Sequence, residues 1–392
     1  MTIDPKTLVR NWNYPTSVRF GPGRIAELPG VCKELGMRKP LLVTDPGLRK
    51  LAMIDSALAS LRDAGLGDSV FSDIRANPIG TNVDDGVAFY QAQGCDGIIA
   101  FGGGSALDVG KTIALMVGQT RPLWDFEDRE DWYTRVNVAG MAQTIAVPTT
   151  AGTGSEVGRA SVILDEASHL KKIIFHPKML PAVVIADPEL TVGLPPRITA
   201  ATGMDALAHC LEAYCAPGFH PLADGIALEG MRLIEEWLPV AVKHGSNVTA
   251  RAHMLAAASM GATAFQKGLG AIHSLSHPVG ARYNTHHGET NAVVMPYVLA
   301  FNRPAIEERM TRLARYLNLP DPGFPAVLAW VLNLRKEIGI PNTLAELGVK
   351  ESDLDVLVPE AVNDPSTGGN PRPAAAAEMR EMFVNAIRGR LP

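Results

Sequence analysis

Residues 95–111, CDGIIAFGGGSALDVGK, decide how the rest of the chain is read. An apolar strand over 95–101 runs straight into Gly102-Gly103-Gly104-Ser105, and then into a helix over 106–117 whose first turns carry Asp108 and Lys111. Glycines at a strand-to-helix turn let main-chain N–H groups approach a phosphate, and the positive end of the helix dipole completes an anion site. The spacing is not the GxGxxG of the usual dinucleotide fingerprint. Working outward, short apolar runs at 17–20, 39–44, 69–72, 143–147 and 183–186 predict strands, and 54–65 and 82–93 predict helices. Strands alternating with helices argue for a parallel, doubly wound α/β sheet.

Past Leu190 the texture changes. The segments 198–214, 223–242, 250–268 and 325–337 are amphipathic or Ala-rich, with no strand-like runs between them. The boundary falls in the Pro-rich LTVGLPPRIT, giving an α/β domain over 1–190 and an all-helical domain over 191–392. Two domains are also what 392 residues call for. With 46% apolar and 20% charged residues, net charge -5 and no basic block, the composition is that of a globular protein and attracts neither nucleic acid nor an anionic membrane. Cys32, Cys95, Cys210 and Cys215 form no CxxC pair, and the start, MTIDPKTLVRNWNYPT, has neither the basic run nor the apolar core of a signal peptide, so a cytoplasmic location is expected. Biased composition is confined to 364–373, rich in Pro, Gly and Asn, and to the alanines at 374–377.

The chemistry-bearing residues cluster. Of ten histidines, four fall within the fifteen residues from His273 to His287. His273 and His277 are four apart and share a helical face, as do Asp205 and His209 in GMDALAHCLEAY. Pro278 and Gly280 are expected to interrupt the helix after His277, so that His286 or His287 folds back to the same point. One Asp and three His make a complete shell for a divalent transition metal. Asp45, in VTDPG at a strand's carboxyl end, is placed to meet an adenosine ribose, where a carboxylate repels a 2'-phosphate and favours NAD over NADP. As an alternative, Asp45 simply starts the Asp-Pro-Gly turn. The run Pro148 to Glu156, PTTAGTGSE, is dense in hydroxyls and flexible backbone, suited to phosphate and nicotinamide contacts.

Assembled, these pieces resemble the iron-containing (group III) alcohol dehydrogenases, the family of lactaldehyde reductase and 1,3-propanediol dehydrogenase. The resemblance spans essentially the whole chain and rests on FGPGRI (20–25), VTDPG (43–47), FGGGSALDVGK (101–111), VPTTAGTGSEV (147–157), DPELTVGLP (187–195), GMDALAHCLEAY (203–214) and HSLSHPVGARYNTHHG (273–288). It implies a dehydroquinate synthase-like architecture, with an N-terminal Rossmann-like domain, a helical C-terminal domain and the active site in the cleft. It implies that Asp205, His209, His273 and His287 bind the metal, Fe(II) with Zn(II) as the alternative, and it selects His287 over His286. His277 becomes a residue beside substrate and nicotinamide, expected to relay a proton. Cofactor contacts are implied at Asp45, Asn77, Gly103, Gly104, Ser105, Asp108, Thr149, Thr150, Thr153, Ser155, Lys171 and Leu190. The expected activity is NAD-dependent hydride transfer with a small primary alcohol or aldehyde, in a homodimer or larger homo-oligomer. The rival activities are a hydroxyacid–oxoacid transhydrogenase of the same family and a dehydroquinate synthase-like lyase. Gly158-Arg159-Ala160-Ser161 departs from some members, which carry larger polar residues there, so the alcohol does not carry over. The loop 124–132, WDFEDREDW, has no role assigned by sequence.

Overall fold

The computed structural model describes residues 10–12, 15–168 and 170–391. The opening residues 1–9, part of the start from which no leader is expected, lie outside them. The chain divides into two compact units, Met1–Thr150 with Gly154–Val192, and Ala151–Thr153 with Gly193–Pro392.

The first unit is built on a seven-stranded sheet. Its strands are β1 (Arg10–Trp12), β2 (Ser17–Phe20), β3 (Pro40–Val43), β4 (Ser69–Phe71), β5 (Gly97–Gly102), β6 (Thr144–Pro148) and, after the separate hairpin β7 (Ala160–Asp165) and β8 (Leu170–Phe175), β9 (Val183–Ala186). The order is β1-β2-β9-β6-β5-β3-β4, with every pairing parallel except the antiparallel edge β1–β2. Four helices cross between strands: α1 (Leu28–Glu34), α2 (Ala52–Asp63), α3 (Gly80–Gln93) and α4 (Gly104–Met116). This is the parallel, doubly wound sheet expected from the alternation of elements.

The period of two along β5 sorts its side chains. Ile99 and Phe101 join Leu42, Ile145, Val147 and Ile185 in one core with Leu28 and Val31 of α1 and Ile54, Leu58 and Leu61 of α2. Ala100 points the other way, where α4 lies so close that a Cβ on Gly110 would come 2.6 Å from the Ala100 Cβ. Each fully buried aliphatic side chain of this kind contributes about 1.5–3 kcal/mol. The order in which strands are added reverses about β3: β4 lies outward on one side, and β5 returns to pair on the other. The carboxyl ends of β3 and β5 therefore flank a topological switch point, where open α/β sheets bind ligands.

The hairpin β7–β8 was not expected. The alternation of half-buried and buried residues along Ala160–Asp165 is the strand signal in it, while Lys171 and Lys172 dilute the partner. The loop 124–132 gains a structural account. Trp124 packs so closely on the first residue of α3 that a Cβ on Gly80 would sit 3.0 Å from its ring. Lys172 Nζ lies 5.0 Å from the Trp124 ring centroid, and Arg135 stacks 3.9 Å from that of Trp132.

The second unit is helical, as expected: α5 (Pro196–Cys215), α6 (Pro221–Lys243), α7 (Val248–Ala264), α8 (Ala271–Tyr283), α9 (His287–Tyr316), α10 (Phe324–Glu337), α11 (Leu354–Val362) and α12 (Ala376–Arg388). One expectation fails. Helix α8 continues through Pro278 and Gly280 to Tyr283. A proline inside a helix costs about 3 kcal/mol, and burial of nine residues of α8, from Ala271 to Gly280, offsets it. The break comes later, at Asn284, which takes the left-handed conformation (φ 50°) and turns the chain into α9. Among the described residues no helix is long and apolar enough to cross a membrane.

Candidate metal centre

Three helices of the second unit each present one i,i+4 pair: Asp205 and His209 on α5, His273 and His277 on α8, His287 and Asn291 on α9. Residues one turn apart share a face, so packing these helices together brings six polar side chains to one place. One ligand atom each from Asp205, His273 and His287 lies within 4.8 Å of the others. Nε2 of His287 is 3.5 Å from Asp205 Oδ1. His209 stands just outside that trio, its Nε2 3.9 Å from the same oxygen and its ring stacked on His273 at 4.9 Å. His277 stacks on His287 at 5.4 Å and meets His273 edge-on at 5.7 Å. His286 goes elsewhere, lining a cleft of about 380 Å³ with Arg197, Tyr283 and Glu289.

The placement of His287 depends on its neighbour. A Cβ on Gly288 would lie 2.2 Å from the main-chain oxygen of Ala201 and 2.9 Å from the Cβ of Asp205. Only glycine lets the first turn of α9 press against α5 this closely.

Two histidines are held by carboxylates, the buried Glu212 and the half-buried Asp364. Glu212, two turns along α5 from Asp205, sits 2.5 Å from His273 Nδ1 with one oxygen and accepts the Ile272 N–H at 2.7 Å with the other. It thus orients the ring and also satisfies a free N–H at the start of α8, where Gly270 offers no side-chain cap. Asp364 Oδ2 lies 2.8 Å from His277 Nδ1. A proton on Nδ1 in each ring leaves Nε2 with its lone pair. Burial pushes the pKa of His209 down to about 4, so at neutral pH it too is an uncharged donor of electrons. Burial opposes charge on His273 as well, but the Glu212 carboxylate outweighs it and raises that pKa.

This donor set fits a cation. Asn291 Nδ2 lies 2.8 Å from Asp205 Oδ1, 3.2 Å from His287 Nε2 and 3.3 Å from His273 Nε2. An NH₂ group has two hydrogens for these three acceptors, while its own Oδ1 is buried without a hydrogen-bond partner. A divalent ion satisfies several converging lone pairs at once, and imidazole with carboxylate is the donor chemistry of transition metals.

Of the expected cofactor residues, Asp45, Asn77, Gly103, Gly104, Ser105, Thr149 and Thr150 lie around the switch point of the first unit, and Asp108, Thr153, Lys171 and Leu190 lie elsewhere or are otherwise engaged. Gly103 precedes the first turn of α4 in extended conformation and Gly104 begins it. A Cβ on Gly102 would lie 3.7 Å from Asp45 Oδ2, and one on Gly103 would lie 3.3 Å from Thr150. Asp45 Oδ1 accepts the N–H groups of Gly47 and Leu48 at 2.8 and 2.9 Å, so its turn-forming use is real. Ser105 Oγ bonds Ala76 O at 2.5 Å, bringing Asn77 beside the glycine turn, and Thr149 N–H bonds Gly102 O at 3.0 Å. Asp108 is engaged within the unit: Oδ1 accepts from Ser155 Oγ at 2.5 Å and Oδ2 from Val162 N–H at 2.9 Å. Lys171 is carried on β8, and Leu190 packs into the apolar core. Thr153 belongs to the second unit, where a Cβ on its neighbour Gly152 would lie 2.8 Å from that of Thr202.

Residues 15–188 match the family described as iron-containing alcohol dehydrogenase, and 199–387 match the C-terminal part of the Fe-containing alcohol dehydrogenase family. The chain belongs to this family. Among relatives of this iron-containing alcohol dehydrogenase, the 4-hydroxybutyrate dehydrogenase of Cupriavidus necator is 41% identical, over 95% of this chain and 99% of its own. The NAD-dependent methanol dehydrogenase of Bacillus methanolicus is 36% identical, over 96% and 100%. A solved structure of 1,3-propanediol oxidoreductase superposes with a TM-score of 0.90 at 37% identity, covering 94% of this chain and 97% of that one. Three residues of the candidate centre, Glu212, Asn291 and Asp364, carry no signal of their own in the sequence. Glu212 is legible afterwards as the next buried-face position after Asp205 and His209. Asn291 is the i+4 partner of His287, and Asp364 opens the compositionally biased 364–373 segment.

Proposed function

We propose that Asp205, His209, His273 and His287 hold one divalent transition-metal ion, Fe(II) in preference to Zn(II), and that the chain transfers hydride between NAD and a small primary alcohol or its aldehyde. One observation carries the reading: a buried carboxylate and two imidazoles, each from a different helix, place their ligand atoms within 4.8 Å of one another. When bound, the ion polarises an alcohol or carbonyl oxygen as a Lewis acid and the nicotinamide carries the hydride. The protein's own part is alignment and proton handling. His277, held at Nδ1 by Asp364, keeps Nε2 available to exchange a proton with substrate or solvent. The glycine turn and the N-terminus of α4 receive the dinucleotide's phosphates.

Support for NAD over NADP comes from the Asp45 carboxylate beside the glycine turn and from the B. methanolicus relative, described as NAD-dependent. Support for the substrate class comes from the relatives named above, since 4-hydroxybutyrate, methanol and 1,3-propanediol all carry a primary hydroxyl. Four buried, free cysteines agree with a reducing cytoplasm. Among the described residues strand β1 has a neighbour on one side only, a sheet edge that a second copy can extend into a homo-oligomer.

The test is a panel of primary alcohols, diols and aldehydes assayed anaerobically with ferrous salt and NAD(H) or NADP(H). Alcohol-dependent NADH formation supports the reading. Hydride exchange between a hydroxy acid and an oxo acid without free NADH replaces it with a transhydrogenase. In the same assay His277→Ala should depress turnover at near-normal metal content; loss of the metal would place His277 among the ligands.

A further inference from the structure

The compositionally biased segment after α11 lies along α8 in a regular register. Asp364, Thr367 and Asn370 follow one another at three-residue steps through a 3-10 turn, Pro365–Gly369, in which residues i and i+3 eclipse. Their partners on α8 descend at the same step. Asp364 Oδ2 meets His277 Nδ1 at 2.8 Å, Thr367 Oγ1 meets Ser274 Oγ at 2.8 Å, and Asn370 Oδ1 accepts the Ala271 N–H at 3.2 Å. The far end is locked by a reciprocal amide pair with Asn302 of α9, at 2.8 and 2.9 Å. The seat is tight, since a Cβ on Gly369 would fall 2.1 Å from Leu269 O. Asp364 itself is fixed twice: its Oδ1 caps the 3-10 turn through the Ser366 N–H at 2.8 Å, so Oδ2 is aimed at the His277 ring.

We propose that Asp364, held on this rail, is a positioning residue for the dehydrogenase reaction: it fixes His277 as the Nδ1–H tautomer and so aims Nε2 for proton transfer. The clause on proton transfer rests on the function proposed above for His277; the tautomer does not. A carboxylate facing Nδ1 accepts that ring proton and holds one rotamer, as second partners of functional imidazoles do. The rail also accounts for α8 persisting through Pro278, because its start and its His277 turn are both tied to a segment outside the helix.

The experiment uses full-length, metal-free protein with histidines labelled with nitrogen-15, and identifies the His277 ring by its loss in H277A. The proposal expects Nδ1 of His277 to carry a proton in the unmutated chain. In D364N, whose amide offers either an oxygen or an NH₂, it expects the Nδ1–H population to fall. It further expects kcat to drop on the order of 10- to 100-fold, with metal content unchanged and KM for alcohol within about threefold. A wild-type ring protonated only at Nε2 overturns the proposal, and does so even if D364N fails to fold. A D364N protein that melts lower but keeps the wild-type tautomer and kcat also overturns it, since the carboxylate would then be merely structural. H277A with full turnover would remove the proton role of His277, whereas the bond to Asp364 is judged by the tautomer alone.

Discussion

Replacing Gly288 by Ala tests how closely the two halves of the candidate metal centre depend on one contact. The added Cβ would lie 2.2 Å from the Ala201 main-chain oxygen, where an ordinary carbon–oxygen approach is about 3.3 Å. The first turn of α9 must therefore retreat from α5 by roughly 1 Å, because the obstacle is backbone and cannot rotate away. His287 is the adjacent residue, and Asp205, whose Cβ lies 2.9 Å from the same point, is on the helix being pushed. Overpacking of this kind costs about 1–3 kcal/mol of stability, and a 1 Å misplacement of reacting groups costs about 10²-fold in rate. The expected G288A protein is folded, melts a few degrees lower, binds ferrous ion at least about tenfold more weakly and turns over about 100-fold more slowly. Gly225→Ala in α6 is the control, since nothing lies within 4 Å of its new Cβ. That change should leave metal binding intact and stabilise the helix by about 0.5–1 kcal/mol. A G288A enzyme with wild-type metal affinity and turnover would refute the packing argument.

Three further outcomes follow from the geometry. Glu212→Gln keeps an acceptor for the Ile272 N–H but loses the charged partner of His273; metal affinity, measured by competition with a chelator, should fall about 10- to 100-fold. Lys111→Met removes the ammonium that bonds Ser155 O at 3.0 Å and also Ala160 O; those carbonyls lose their donor, so thermal unfolding should report a loss of about 1–3 kcal/mol, and an unchanged midpoint would show that they find other partners. Asp45→Ser removes the charge opposing a 2'-phosphate, so the NADP/NAD ratio of kcat/KM should rise at least about tenfold, or about 1.4 kcal/mol; an unchanged ratio would leave Asp45 with its turn-forming role alone.

Much of the architecture was legible because it is periodic. The four-residue spacings of Asp205 with His209 and of His273 with His277 are local, and a helix converts them into shared faces whatever surrounds it. The same holds for β5 and its glycine turn, where a six-residue apolar run leads into a helix. What was not legible is long-range or set by packing. Pro278 reads as a breaker in any local window, yet α8 passes through it because the buried face outweighs one lost hydrogen bond. His277 and Asp364 are 87 residues apart, and His273 and Glu212 are 61 apart; no period in the chain links them. Asp45 and Asp108 show a second limit. Its place at a strand's carboxyl end marks Asp45 as a ligand contact, with the turn as the alternative, and the family resemblance marks Asp108, while the folded chain also uses them to hold that turn and a loop.

The central claim is that one ion sits among Asp205, His209, His273 and His287. Anaerobic titration of the metal-free protein with ferrous ion, followed by removal of excess and elemental analysis, tests it most directly, with Asp205→Ala and His273→Ala proteins alongside. The account predicts one ion per wild-type chain and near-complete loss in both variants, each still folded by circular dichroism. Equal metal retention in wild type and both variants would contradict it.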